Sequence, residues 1–102
     1  MQRLIIYPEY FYHPNVLSLE IEMGYMADII PIRLWLWAIA FGYHNKSISH
    51  INPRYIEEAV RWEGDPNRCY KALIGNGFIS KENDYSLGFR DELWDIDLMD
   101  DL

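Results

Sequence analysis

The chain has 102 residues, of which 50% are hydrophobic and 16% aromatic, enough to fill one small core and unlike the composition of a disordered segment. A formal net charge of −7 argues against a strong nucleic-acid binder, and a single cysteine excludes an intramolecular disulfide framework. No apolar run reaches the roughly eighteen residues of a membrane span, and Met1-Gln2-Arg3-Leu4 does not open a signal peptide. The expectation is therefore a protein with no membrane partner in a reducing cytoplasm.

Leu4-Ile5-Ile6-Tyr7 is a short apolar run ended by Pro8, the pattern of a first or edge strand. His13-Pro14 opens a helix in which Val16, Leu19 and Met23 recur at helical spacing, as do Leu17 and Ile21, and Gly24 stops it. The clearest element follows. Asp28 is placed to cap a second helix that runs through Leu34, Trp35, Ala38, Ile39 and Phe41 to Gly42. Its apolarity extends nearly all round, which marks a central helix on which others pack.

Lys46-Ser47-Ile48-Ser49 reads as a short extended link, and Asn52-Pro53 opens a third helix as cap and first residue. Ile56, Ala59 and Val60 are expected inward, with Arg54, Glu57, Glu58 and Arg61 outward. Gly64 closes that helix and Asp65-Pro66 opens a fourth to about Asn76, with Cys69, Ala72 and Leu73 inward. So short a link between two short helices is a helix-turn-helix arrangement. After Gly77, Phe78-Ile79-Ser80 and Tyr85 to Phe89 read as a hairpin across the polar turn Lys81-Glu82-Asn83-Asp84.

This order predicts an α+β winged helix-turn-helix fold, with three to four helices and a C-terminal β-hairpin wing, over residues 1–90. Residues 91–102 carry six acidic residues and no basic one, whereas residues 45–90 carry seven basic and six acidic, so much of the acidity belongs to an expected acidic-hydrophobic tail.

Trp62-Glu63-Gly64-Asp65-Pro66, followed by Ala72-Leu73 and Gly77-Phe78-Ile79, resembles the N-terminal winged-helix domains of phage replication-initiation and replisome-organiser proteins. His13-Pro14, Leu19, Gly24 and Leu34-Trp35 are also similar to that pattern, so the resemblance spans roughly Tyr10 to Phe89. It implies a phage or prophage DNA-binding protein acting in replication or its control inside a bacterial host cell.

Candidate contact residues follow from helical geometry. With about 100° per residue, Asn67, Tyr70, Lys71 and Ile74 share one side of the fourth helix, opposite Cys69 and Leu73. Asn67, Arg68 and Lys71 are the expected readers of double-stranded DNA, since amide and cationic side chains suit base edges and phosphates. Lys81 on the wing, Arg54 and Lys46 are expected to hold the backbone.

A second reading is a non-enzymatic protein-interaction module, for instance an inhibitor of a host nucleic-acid enzyme. Tyr70 and Ile74 on the outward face and Trp94, Asp95 and Asp97 in the tail would then meet a basic protein partner. A third course for Trp94 is to fold back into the core. Tyr7, Tyr10, Phe11 and Tyr12 are expected in the core or a homodimer contact, since no cation accompanies them as single-strand binding requires. Trp35 and Trp37, two apart, cannot share one face, which leaves one for the core and one for an interface.

Catalysis has little support. Glu57 and Glu58 are adjacent and splay apart, and His13, His44 and His50 lack metal-ligand spacing. Cys69 is expected to be an inert core thiol. No enzyme activity, metal or cofactor is expected.

Overall fold

The computed structural model describes residues 2–98. They form an α+β fold: β1 (Gln2–Ile6), a 3-10 turn (Pro8–Tyr12), α1 (Pro14–Met23), α2 (Ile29–Phe41), α3 (Pro53–Ala59), α4 (Arg68–Gly75), β2 (Ile79–Ser80), β3 (Ser86–Leu87) and β4 (Trp94–Leu98). β2 and β3 form an antiparallel hairpin, and β1 pairs with β4 in a second antiparallel sheet.

The local signals explain the helix ends. His13 Nδ1 accepts from the Asn15 N–H at the start of α1, and Gly24 at φ 97° ends it. Gly42 closes α2 in the left-handed region, which costs a glycine nothing. Asn52 Oδ1 accepts from the Arg54 N–H at 2.9 Å and so caps α3. Asp28, by contrast, makes no side-chain cap to α2.

The core is built around Trp35, fully buried in α2. Trp94 stacks on it at 5.2 Å, Tyr10 meets it edge-on at 5.5 Å, and Phe78 lies at 6.2 Å. Tyr10 donates its hydroxyl hydrogen to the Asp28 carbonyl, which gives the buried phenol a partner. Val16, Leu19, Leu34, Ile56, Cys69 and Leu73 close around this aromatic centre.

Several expectations are corrected. The domain does not end at residue 90: β4 pairs along the whole of β1, from Gln2↔Leu98 to Ile6↔Trp94, and Leu93 and Trp94 are buried. Residues 99–102 of the expected tail lie outside the described residues. α3 ends at Ala59 instead of near Gly64, and α4 begins at Arg68 instead of Pro66. The second hairpin strand is only Ser86–Leu87, because Tyr85 and Phe89 both adopt positive φ and break the extended run. Of the early aromatics, Tyr10 is core whereas Tyr12 is 80% exposed. The link 46–49 forms no strand, yet the Ile48 N–H donates to the Tyr85 carbonyl at 3.0 Å and ties it to the hairpin.

Burial of Cys69, with the Glu57 carboxylate second, pushes its thiol from 9.0 up to about 12. The fold thus favours the protonated thiol. That contribution to stability is complete below about pH 9 and fades as pH rises toward the folded value. Iodoacetamide at mildly alkaline pH is expected to leave Cys69 intact in the native protein and to alkylate it in urea. Alkylation at equal rates in both states would show that the α3–α4 packing opens freely.

Candidate nucleic-acid interface on the fourth helix

α4 is held by a residue from α3. Asn67 occupies its N-cap position at φ 69° and makes no side-chain cap, so the first N–H groups of the helix need another acceptor. Glu57 supplies it. Oε1 accepts from the Asn67 N–H at 2.9 Å, and Oε2 accepts from Cys69 and Tyr70 at 3.0 and 3.2 Å. The carboxylate is almost fully buried and faces the positive end of the helix dipole, with the Arg54 Nε at 3.8 Å from Oε1. Glu57 was expected outside. Its burial is a correction that follows from the open N-terminus of α4.

The intervening turn is a clasp made by Trp62. Its indole Nε1 donates to the Asp65 carbonyl at 2.9 Å, and its ring lies so close over Gly64 that a Cβ there would stand 2.1 Å from Cζ2. The Arg68 guanidinium sits 5.9 Å from the same ring. The Trp62-to-Pro66 stretch is therefore architectural: it sets the angle at which α4 leaves α3.

Arg68 and Lys71 are exposed on α4, and no residue from Arg68 to Gly75 is acidic. Asn67 is exposed at the N-cap, where its left-handed φ takes it off the helix face expected from the 100° step. Arg68 is partly engaged, since its Nη2 donates to the Glu22 carbonyl at 3.3 Å. Lys81 is exposed at the start of the hairpin loop and lines a shallow hollow with Ile74, Ser80 and Glu82, which brings it beside the end of α4. Arg54 lies elsewhere, in a hollow shared with Glu58, Arg61 and Glu63. Lys46 is exposed on the link before α3, where the Ser47 hydroxyl donates to the Asp84 carbonyl at 2.6 Å. Arg68 and Lys71 thus lie on α4 and Lys81 beside its far end with Glu82 in the same hollow, while carboxylates flank Arg54.

The residues expected to meet a protein partner fare differently. Tyr70 is buried, not outward, and burial raises its hydroxyl pKa. Ile74 is half-buried. Trp94 is core and cannot serve as an exposed contact. Asp97 pairs with Arg3 at 2.6 Å, and Asp95 Oδ1 accepts from the Ile96 N–H at 2.7 Å, so both carboxylates are engaged within the sheet.

Among the described residues no cluster of three or more His, Cys, Asp or Glu side chains could hold a metal, and no helix is long and apolar enough to cross a membrane. Compared with family models, curated proteins and solved structures, the chain matches none.

Proposed function

We propose that this chain is a winged-helix module that contacts double-stranded DNA through α4 and serves phage or prophage replication or its control. The observation that carries the reading is α4, where Arg68 and Lys71 stand exposed with no acidic residue on the helix and Asn67 is exposed at its N-cap. The Glu57 cap and the Trp62 clasp support it, since a helix that enters a groove must be presented at a set angle. The tie between Ile48 and Tyr85 supports the wing. The replication setting comes from the resemblance of Trp62–Pro66 and Gly77–Ile79 to phage initiator domains.

A net charge of −7 sets the character of this contact. Few phosphates are neutralised, and the acidic remainder repels the duplex, so affinity is modest and falls with salt along a shallow slope. Fluorescence anisotropy with a labelled duplex at low and moderate salt tests the reading. Replacing Arg68 and Lys71 together with Ala is expected to weaken binding about tenfold and to lower the salt slope by about two, one per phosphate contact. Unchanged affinity in the double variant would remove α4 as the contact. A wild-type protein that binds no duplex even at low salt would remove the DNA reading itself.

A further inference from the structure

α2 does not bury all of its apolar surface. Leu34, Trp35 and Ala38 point into the core, whereas Ile29, Ile32 and Leu36, spaced for one face, look outward with Phe41. Leu36 and Phe41 are 49% and 65% exposed. Three adjoining depressions run along this helix. The first and the middle one share Ile29, Arg33 and Arg61, and the middle one and the last share Trp37 and Phe41, which makes them one groove. The middle depression encloses about 490 Å³.

The charge of the groove sets it apart. The chain is strongly acidic, yet among the described residues no carboxylate lines any of the three depressions. Arg33 and Arg61 do. The ion pairs among the described residues join Arg3 to Asp97, His13 to Glu92 and Arg54 to Glu57, so neither groove arginine is neutralised by one. Arg33 is steadied by the Val60 carbonyl at 3.5 Å. Arg61 stands between the groove and the hollow that holds Glu58 and Glu63, without pairing to either.

These features discriminate among occupants. A second copy docked about a two-fold axis sets the same patch against itself, so Arg33 and Arg61 would find no carboxylate lining the opposite groove among the described residues, between two chains that each carry −7. Single-stranded nucleic acid would need more cations than two, and it would need them beside the stacking rings. The aromatic end lined by Trp37, Phe41, Tyr43 and Tyr55 has no cation among the described residues, and the two arginines lie toward the aliphatic Ile29, Ile32, Leu36 and Ala59. An amphipathic helix meets both demands, with apolar side chains on the floor and carboxylates against the arginines. We infer that the α2 groove docks an acidic amphipathic helix of a partner protein, on a face separate from α4. α2 rises about 20 Å over its 13 residues, which a partner segment of about four turns would match.

The test uses the full chain and labelled synthetic helical peptides of about fourteen residues. One carries Leu along one face with Glu at the flanks, and its twin carries Lys in place of Glu. Anisotropy is expected to show the Glu peptide binding about tenfold tighter than its twin, with Leu36→Asp abolishing capture. Leu36 is half-exposed, so that variant should fold, and circular dichroism verifies it. Combined Arg33→Glu and Arg61→Glu should reverse the preference, a readout that a merely unfolded variant cannot produce. Equal binding of both peptides, or of neither, overturns the inference. So does capture of oligothymidine lost with Leu36→Asp, which would assign the groove to nucleic acid. A dimer in sedimentation equilibrium that Leu36→Asp dissolves would assign it to self-association.

Discussion

Replacing Trp94 with alanine is expected to lower stability by about 4 kcal/mol, within the range for a large aromatic removed from a core. The ring stacks on Trp35 at 5.2 Å, its Nε1 donates to the Gly88 carbonyl at 3.2 Å, and the Arg90 guanidinium lies 5.9 Å from it. Just before it, the Leu93 carbonyl accepts from the Tyr7 N–H at 3.1 Å and starts the pairing of β4 with β1. A domain of this size commonly holds only about 5–15 kcal/mol in total. The urea midpoint should therefore fall by about 2 M, given slopes of about 1–3 kcal/mol per molar for small proteins. A chain ended after Arg90 loses Leu93, Trp94 and the strand that pairs with β1, and it is expected not to fold. Asp95→Asn and Asp97→Asn should each cost less than about 1 kcal/mol, because the Arg3–Asp97 pair is exposed to solvent screening. A Trp94→Ala midpoint equal to wild type would mean that residues 91–98 are an appendage after all.

Glu57→Ala should cost about 3 kcal/mol. The substitution strips acceptors from three N–H groups at the start of α4, two of them buried, and hydrogen bonds to a charged group are each worth about 1.5–3 kcal/mol. The exposed Arg54 compensates little, since its Nε lies 3.8 Å away and its side chain is 59% exposed. Glu57→Gln is expected to keep part of the loss, because an amide offers one acceptor oxygen where the carboxylate uses two. Hydrogen exchange at Cys69 and Tyr70 should accelerate together in both variants, marking a loosened α4. Glu58→Ala, one residue on and exposed, should stay within about 0.5 kcal/mol of wild type. Equal effects at the two glutamates would show that the cap contributes nothing. Duplex binding by Glu57→Gln at a temperature where it remains folded would further report whether the angle of α4 matters to the contact.

Why one glutamate is buried and its neighbour is not lies beyond local sequence. A carboxylate among Arg54, Glu58 and Arg61 reads as part of a solvated helix face, and only the arrival of α4's open N-terminus makes Glu57 an inward residue. β4 was hidden for a different reason. Trp94-Asp95-Ile96-Asp97-Leu98 alternates apolar and acidic residues with the period of a half-buried strand, but six acidic residues in the last twelve suggested a solvated tail. Its partner is β1, with Arg3 and Asp97 94 positions apart, and such pairing leaves no mark in either segment alone. The α2 groove was obscured by all-round apolarity, which describes a helix wholly enclosed as well as one left open along a side.

By itself the sequence determined the features that depend on a few neighbouring residues: α1 between Pro14 and Gly24, the stop of α2 at Gly42, the Asn52 cap on α3, and the inward set Cys69, Ala72 and Leu73. Proline, glycine and capping side chains act through local dihedrals and nearby N–H groups, and helical period is set within two turns. Only the tertiary structure decided that residues 94–98 close the sheet, that Glu57 caps α4, and that one side of α2 has no carboxylate lining it among the described residues. Each of those depends on which distant surface arrives to exclude water or accept a hydrogen bond, and chain distance carries no record of that.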